Sequence, residues 1–281
     1  VVVVAKVEST AIVYQRIGKF CYDHAIPLYG INGKNLHEYY GVGEFHSINS
    51  PYFLKSEEEL KAQIRSHEII SFDIFDTLIM RKTFNPLDAF EIVGSQARRL
   101  GLVFEDFFGL RRKAEMENPI QEVNLYEIYD EFQRLTGITD AQKEQLCNLE
   151  IEVEKQVLIQ RAKMVEIFEY AKRIGKKVYL ISDMYLPQPV IEEILTELGI
   201  QGYERLYLSN TLRQAKWSGL FKRFKEEVPG ESYLHIGDNE DADGNYGSQA
   251  GLDVYLIKKA VDMLDLSSYA PITRILNNTN G

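Results

Sequence analysis

Residues suited to phosphate chemistry recur at four places where an apolar run stops. The first is Ser71-Phe72-Asp73-Ile74-Phe75-Asp76-Thr77-Leu78, where a short apolar segment over residues 68–72 ends in two acidic residues and a threonine. The second is Ser182-Asp183, which closes the run 177–182. The third is Lys216, at the start of the helix expected after the run 205–209. The fourth is Gly237-Asp238-Asn239, closing 232–236, with Asp243 five residues beyond Asp238. In an open α/β sheet, ligands gather outside the carboxyl ends of the strands. An aspartate placed there is flanked by backbone N–H groups able to hold an anion. Each position also has a plainer reading: an acidic turn for Asp73, a helix N-cap for Ser182, a solvated turn for Asp238 and Asp243. A lysine at a helix start is disfavoured as mere surface, because that helix end is itself positive.

The elements that must position these residues are legible from periodicity. Residues 68–72 form the first core strand, and the pattern then turns helical over 86–173. Asn85-Pro86 is a helix entry with proline in the first turn; Leu87, Phe90, Ile92, Val93 and Ala97 mark one apolar face, which Gly101 ends. Further helices are predicted over 105–117, 124–135 and 140–173, the last carrying Leu149, Val153, Val157, Leu158 and Ile167. A dozen residues suffice for a crossover between parallel strands, so this block reads as an inserted cap, or else as the helical half of an α+β fold. Strands 177–182, 205–209, 232–236 and 253–257 then alternate with helices 187–198, 217–227 and 243–250. Such alternation predicts a Rossmann-like parallel sheet with right-handed crossovers. The expected fold class is therefore α/β, with a helical cap inserted after the first core strand and a small N-terminal unit. The expected division is 1–66 for that unit, 67–82 with 174–281 for the core, and 83–173 for the cap. Within the first unit, 25–30 reads as a strand and 31–38 as a turn entering a helix. The spacing Gly30-x-x-Gly33 falls short of a dinucleotide fingerprint, so a packing or linking unit is expected. Ser56 reads as the cap of a helix that leads through Ile64 to the core.

Bulk properties narrow the classes. The chain has 281 residues, 45% of them hydrophobic, and 32 basic against 42 acidic side chains for a net charge of −10. That balance argues against a broad nucleic-acid or anionic-membrane surface. Cys21 and Cys147 make neither a disulfide framework nor a zinc site, so a reducing compartment, the cytoplasm, is expected. No stretch reaches the roughly 20 apolar residues of a membrane helix. Lys6 and Glu8 interrupt the opening valines, which lack the pattern of a signal peptide. The absence of an initial methionine fits a piece of a longer protein.

The four motifs, in this order, resemble those of the haloacid dehalogenase (HAD) superfamily over about residues 68–257. The likeness is closer to hydrolases found fused to bacterial surface-polysaccharide glycosyltransferases, through Ser71–Leu78, Ser182-Asp183-Met184-Tyr185-Leu186 and His235-Ile236-Gly237-Asp238-Asn239. The resemblance implies that Asp73 is a nucleophile forming an aspartyl phosphate. It implies Mg²⁺ as cofactor, held by Asp73, the Phe75 carbonyl and Asp238, with Asp243 holding a metal-bound water. Thr77 and Ser182 would donate to phosphoryl oxygens, and Lys216 would balance charge. Arg81, Arg111 and Asn239 are candidate substrate contacts. His235 reads as a packed strand residue.

One position departs from the pattern. Phosphatases of the superfamily carry a second aspartate two residues after the nucleophile, where this chain has Phe75. Asp76 or Asp183 would then do the proton work. The dehalogenase members also carry an aromatic residue there but need no metal. The expected function is a Mg²⁺-dependent phosphohydrolase for a small phosphorylated metabolite, on family association a sugar phosphate. The alternatives are a catalytically weak or inactive binding module of a surface-polysaccharide glycosyltransferase system, and a metal-independent dehalogenase. The expected partners are a small phosphorylated substrate and a fused or associated glycosyltransferase, with no nucleic acid and no membrane insertion.

Overall fold

The computed structural model describes residues 2–4, 10–31, 33–40 and 55–265. Contacts divide the chain into Val1–Ser56 with Lys258–Gly281, and Glu57–Ile257. In the first unit, β1 (Val2–Val4) pairs in parallel with β2 (Leu28–Gly30), and α1 (Thr10–Asp23) lies between them in the chain. Tyr14, Cys21, Leu28 and Leu36 form its small core. The Asn35 side chain accepts from the His37 N–H (3.0 Å), opening α2 (Leu36–Tyr40). Lys6, Glu8, Asn32 and the tail after Asp265, all part of the sequence-based expectations, lie outside the described residues.

The second unit begins with α3 (Glu57–Ser66), earlier than the boundary expected after residue 66. The reason is the burial of Leu60 and Ile64, which ties this helix to the second unit. The strand β3 (Ile69–Phe72) is buried along its whole length, as expected of a strand covered on both faces. After it comes a segment that periodicity did not reveal. β4 (Ile79–Arg81) pairs antiparallel with β5 (Leu158–Gln160), so the chain leaves and re-enters the core through one two-stranded ribbon.

Between these strands lie α4 (Asp88–Arg99), α5 (Phe107–Met116), α6 (Leu125–Thr136) and α7 (Asp140–Val157). Asn124 with Glu127 and Thr139 with Gln142 form capping boxes that start α6 and α7, and Gly137 ends α6 at φ +72°. The single helix expected over 140–173 is two helices. Leu158 turns extended (ψ 138°) to join the ribbon, and α8 (Ala162–Arg173) returns to the core, packed beside α3 and next to β6 (Lys177–Ser182). The cap therefore ends at the ribbon rather than at residue 173.

The core continues through α9 (Gln188–Glu197), β7 (Leu206–Leu208), α10 (Ser209–Leu212), α11 (Leu220–Glu227), β8 (Tyr233–Gly237), α12 (Tyr246–Gln249) and β9 (Asp253–Leu256); α13 (Ala260–Asp265) comes next in the chain. The five strands form an all-parallel sheet in the order β7-β6-β3-β8-β9. From β3 the connections run outward on one side and then jump to the other. That reversal beside β3 is where doubly wound sheets open a ligand crevice. Ile69, Tyr179, Ile181, Tyr207, Phe221, Phe224 and Tyr233 pack one part of the core.

The cap has a polar centre. Arg111 is fully buried and makes a bidentate pair with Glu150 (2.9 and 2.8 Å). It also donates to Glu115 (2.8 Å) and lies over the rings of Phe90 and Tyr185. The Tyr129 hydroxyl donates to Glu150 (2.7 Å). Removing one member of a buried pair strands the other and costs about 3–5 kcal/mol. Glu150→Ala is therefore expected to destabilise the folded chain by about that amount in chemical denaturation. The double change Arg111→Met with Glu150→Leu should lose much less, because no fully buried charge is left alone and Glu115 is partly exposed to water.

Candidate active site

Asp73 follows β3 directly. Its N–H donates to the Ile236 carbonyl (2.9 Å), which fixes it beside the end of β8. The chain then folds back, with the N–H groups of Leu78 and Ile79 donating to the Ile74 carbonyl (2.8 and 3.0 Å). That turn puts Asp76 at φ +56°, a left-handed conformation that aspartate tolerates better than most residues. Arg161, just after β5, donates to the Asp76 carbonyl (2.5 Å). The Phe75 carbonyl takes no hydrogen bond among the described residues.

The turn after β8 is built on one carboxylate. Asp243 Oδ2 accepts the N–H groups of Asp238 (3.1 Å) and Asn239 (3.0 Å). A side chain at Gly237 would overlap the Asp243 carboxyl, so glycine is required there. Asp243 Oδ1 accepts from Lys216 Nζ (2.5 Å) and meets His235 Nε2 (3.0 Å). A carboxylate has about four acceptor sites, and Asp243 has used them. This alters its expected role of holding a metal-bound water: in this structure it organises the turn and the lysine. Asn239 caps a π-helical turn (Glu240–Asn245), its Oδ1 accepting from Asp241 and Ala242. Only its amide group is left to meet a substrate.

Lys216 opens a short 3₁₀ turn (Lys216–Ser218) that Gly219 (φ +115°) separates from α11. Its ammonium bridges Asp73 Oδ1 (2.6 Å) and Asp243 Oδ1. Its backbone N–H donates to Asp183 (3.0 and 3.2 Å), which follows β6. The loop after Asp183 is held by Asn210, which donates to the carbonyls of Met184 (2.6 Å) and Leu186 (2.7 Å). Ser182 is buried, yet its hydroxyl makes no hydrogen bond among the described residues. Thr77 gives its hydroxyl proton to Asp238 Oδ1 (3.1 Å); here it orients that carboxylate and has no second proton for a phosphoryl oxygen.

The electrostatics follow from crowding. Burial, and after it the carboxylates of Asp243 and Asp238, push the Asp73 carboxyl well above its ordinary range, with Lys216 opposing. Burial works against the Lys216 ammonium, but Asp73 and Asp243 outweigh it and hold the amine protonated. Burial likewise opposes ionisation of Asp243, and Lys216 with His235 overcomes it. Asp183 sits at the rim, exposed on one side and crowded by protein on the other. That crowding raises its carboxyl to about 6, with Lys216 opposing and Glu122 of the cap adding to the rise.

Donor chemistry tests whether a divalent ion fits. Oxygens of Asp73, Asp238 and Asp243 lie within 4.8 Å of one another. Mg²⁺ binds oxygens at about 2.1 Å, so donors on its opposite sides stand about 4.2 Å apart. Oxygens gathered within 4.8 Å of one another are compatible with sharing one such ion. Three carboxylates and one ammonium leave an excess of two negative charges, which suits a divalent cation. Asp73, Asp238 and Asp243 form an acidic group that could hold one.

Asp73, Thr77, Ser182, Asp183, Lys216, Asp238 and Asp243 thus gather at the ends of β3, β6 and β8. Arg81 and Arg111 do not join them as substrate grips. Arg81 makes a bidentate pair with Glu154 (both 3.0 Å) and covers the Phe75 ring, and Arg111 is enclosed in the cap. Asp76 contributes its backbone, since its carboxylate takes no hydrogen bond among the described residues. Two residues at the site escaped sequence reasoning, His235 and Ser71. Strand alternation marks them as buried and says nothing of their contact with each other (Oγ to Nδ1, 2.9 Å).

No family model matches the chain, and no curated protein matches it. Solved structures do. A HAD family enzyme from Bacteroides thetaiotaomicron aligns at 16% identity and a TM-score of 0.50, over 71% of this chain and 98% of that one. The magnesium complex of the same enzyme aligns at 16% identity and 0.48, over 69% and 94%. A HAD phosphatase from Thermococcus onnurineus aligns at 15% identity and 0.46, over 69% and 87%. At 16% identity the likeness to the first of these is one of fold alone: the chain carries a Rossmann-like core with a helical cap.

Proposed function

We propose that the chain is a Mg²⁺-dependent phosphohydrolase acting through an aspartyl phosphate. The observation that carries this reading is the convergence of Asp73, Asp238 and Asp243 on one spot with a single ammonium, Lys216. Asp73 Oδ2 takes no hydrogen bond among the described residues and is the nucleophilic oxygen. It bonds to phosphorus as the bond from phosphorus to the leaving oxygen breaks. Water then attacks phosphorus, the bond to Asp73 breaks, and phosphate leaves. A bound Mg²⁺ supplies the positive charge that lets a phosphate dianion approach a carboxylate. Lys216 stays on Asp73 throughout and balances the charge that the phosphoryl group brings. Ser182 offers its hydroxyl to a phosphoryl oxygen.

Phe75 carries no proton, so the leaving oxygen must be served from elsewhere. Asp183 is the group with the right character, at the rim and raised to about 6. It donates to the leaving oxygen and then takes a proton from the attacking water. The substrate is a small phosphorylated metabolite. A sugar phosphate, and association with a polysaccharide glycosyltransferase, rest on the motif resemblance alone.

Phe75 also favours a second reading, a binding module that holds a phosphate ester without turnover. A metal-independent dehalogenase is disfavoured, because the acidic group of Asp73, Asp238 and Asp243 suits a metal ion that such an enzyme does not need.

A phosphatase screen over many metabolites with Mg²⁺ is expected to show turnover that Asp73→Asn abolishes. Beryllofluoride should bind wild type only when Mg²⁺ is present, and Asp73→Asn not at all. Binding of an intact ester without turnover would instead establish the module. A second expectation concerns pH. Protonated Asp183 is the acid, so kcat/KM for alkyl phosphates should fall as pH rises through about 6. Asp183→Asn should remove that limb and lower alkyl turnover by about 10²–10⁴-fold. Aryl phosphates, whose leaving groups need no proton, should be spared.

A further inference from the structure

A buried chain of side chains runs behind the nucleophile. Ser71, on β3, meets His235, on β8, at 2.9 Å between Oγ and Nδ1. Their strands are neighbours and the two residues stand opposite each other in register. His235 Nε2 lies 3.0 Å from Asp243 Oδ1, the same oxygen that receives Lys216 Nζ. Lys216 in turn reaches Asp73 Oδ1 at 2.6 Å. His235 is fully buried, and the Phe221 ring meets its imidazole edge-on at 4.7 Å.

The direction of each bond follows from its neighbours. Asp243 accepts from Lys216 and from two backbone N–H groups, so it is a carboxylate and His235 Nε2 must carry the proton given to it. An imidazole in an apolar strand beside an ammonium stays neutral, which leaves Nδ1 an acceptor for the Ser71 hydroxyl. The ring thus has one tautomer and one orientation. The Nε2–H meets the same Asp243 oxygen as the Lys216 ammonium. It pins Oδ1 where the ammonium can bridge two carboxylates.

We propose that His235, held by Ser71, is a positioning residue that sets the Lys216–Asp73 contact through Asp243. The consequence for phosphoryl transfer rests on the phosphohydrolase reading above, whereas the placement of the lysine does not. The functional demand is a nitrogen donor at the position of Nε2. Glutamine puts its amide there; asparagine is one bond shorter and reaches only Ser71.

Two measurements test this on the whole chain. The first is the ammonium signal of Lys216 in protein labelled with [¹⁵N]lysine, a signal that burial between two carboxylates protects from exchange. It should persist in wild type and His235→Gln and vanish in His235→Asn and His235→Leu. The second is Mg²⁺-dependent beryllofluoride binding. A hydrogen bond to a charged group is worth roughly a 10- to 100-fold change in an equilibrium. His235→Leu and His235→Asn should lose affinity on that scale, and His235→Gln should recover most of it. Ser71→Ala, which removes one oxygen without disturbing the fold, should fall between. His235→Leu keeping both the signal and the affinity, or His235→Gln failing as badly as His235→Leu with an unchanged circular dichroism spectrum, would overturn the proposal. So would a Ser71→Ala variant identical to wild type in both measurements. If wild type binds no beryllofluoride with Mg²⁺, the phosphohydrolase reading fails while the lysine signal still decides the role of His235.

Discussion

An uneven charge count governs this structure. Asp73, Asp238 and Asp243 are brought within 4.8 Å of one another in a buried crevice with one ammonium among them. Two like charges at about 4 Å repel by about 4 kcal/mol at an effective dielectric of 20. A fold tolerates that arrangement only if hydrogen bonds and a counter-charge offset it. Much of the local sequence is bound by this need. Gly237 lets the Asp243 carboxyl approach the backbone, and the N–H groups of Asp238 and Asn239 receive it. Thr77 gives its proton to Asp238. What remains unbalanced is worth about one divalent cation.

The cap obeys the opposite rule, in that its buried charges are paired. Arg81 is taken by Glu154, Arg111 by Glu150, and Arg213 of the core by Glu127 of the cap (2.6 and 2.8 Å). The Leu125 N–H donates to the Tyr185 carbonyl (2.8 Å), and the Tyr185 hydroxyl to Glu154 (3.1 Å). These contacts join the helices after β4 to the loop that carries Asp183. Of the guanidinium groups that sequence reasoning assigned to an anionic substrate, Arg111 is thus taken up inside the cap and Arg81 joins the ribbon to the cap. On the proposed reading, that leaves Lys216, the hydroxyl of Ser182 and the amide of Asn239 as the groups of the crevice that would meet a phosphoryl group.

The sheet was legible because each buried strand is a short apolar run closed by a polar motif, and because β and α periods alternate after residue 177. The cap helices were legible through caps such as Asn124 and Thr139. The ribbon of β4 and β5 was not. Three-residue strands carry no period, and Val157-Leu158-Ile159 continues the apolar helical spacing of α7 without a break. The fate of Arg111 was hidden for a different reason. Its partner Glu150 lies 39 residues away on another helix, and spacing along one helix offers only Glu115. Ser71 and His235 are 164 residues apart; each looks like an ordinary strand residue until β3 and β8 are set side by side.

Position 75 shows how the two rules meet. Its ring lies under Arg81, on the outgoing strand of the ribbon, and Arg81 is held by Glu154 near the end of the last cap helix. An aspartate at 75 would sit beside that guanidinium and compete with Glu154 for it. A carboxylate held by arginine keeps its charge, which makes it a poor donor of protons. A cation over an aromatic face is compatible with an arginine already engaged by a carboxylate. Phenylalanine at 75 therefore allows Arg81 to serve the junction of ribbon and cap, and on the proposed reading proton transfer would fall to a carboxyl outside that network. Asp183 meets the condition: its hydrogen-bond partner is the backbone of Lys216 rather than an arginine, and its crowding raises its affinity for a proton instead of lowering it.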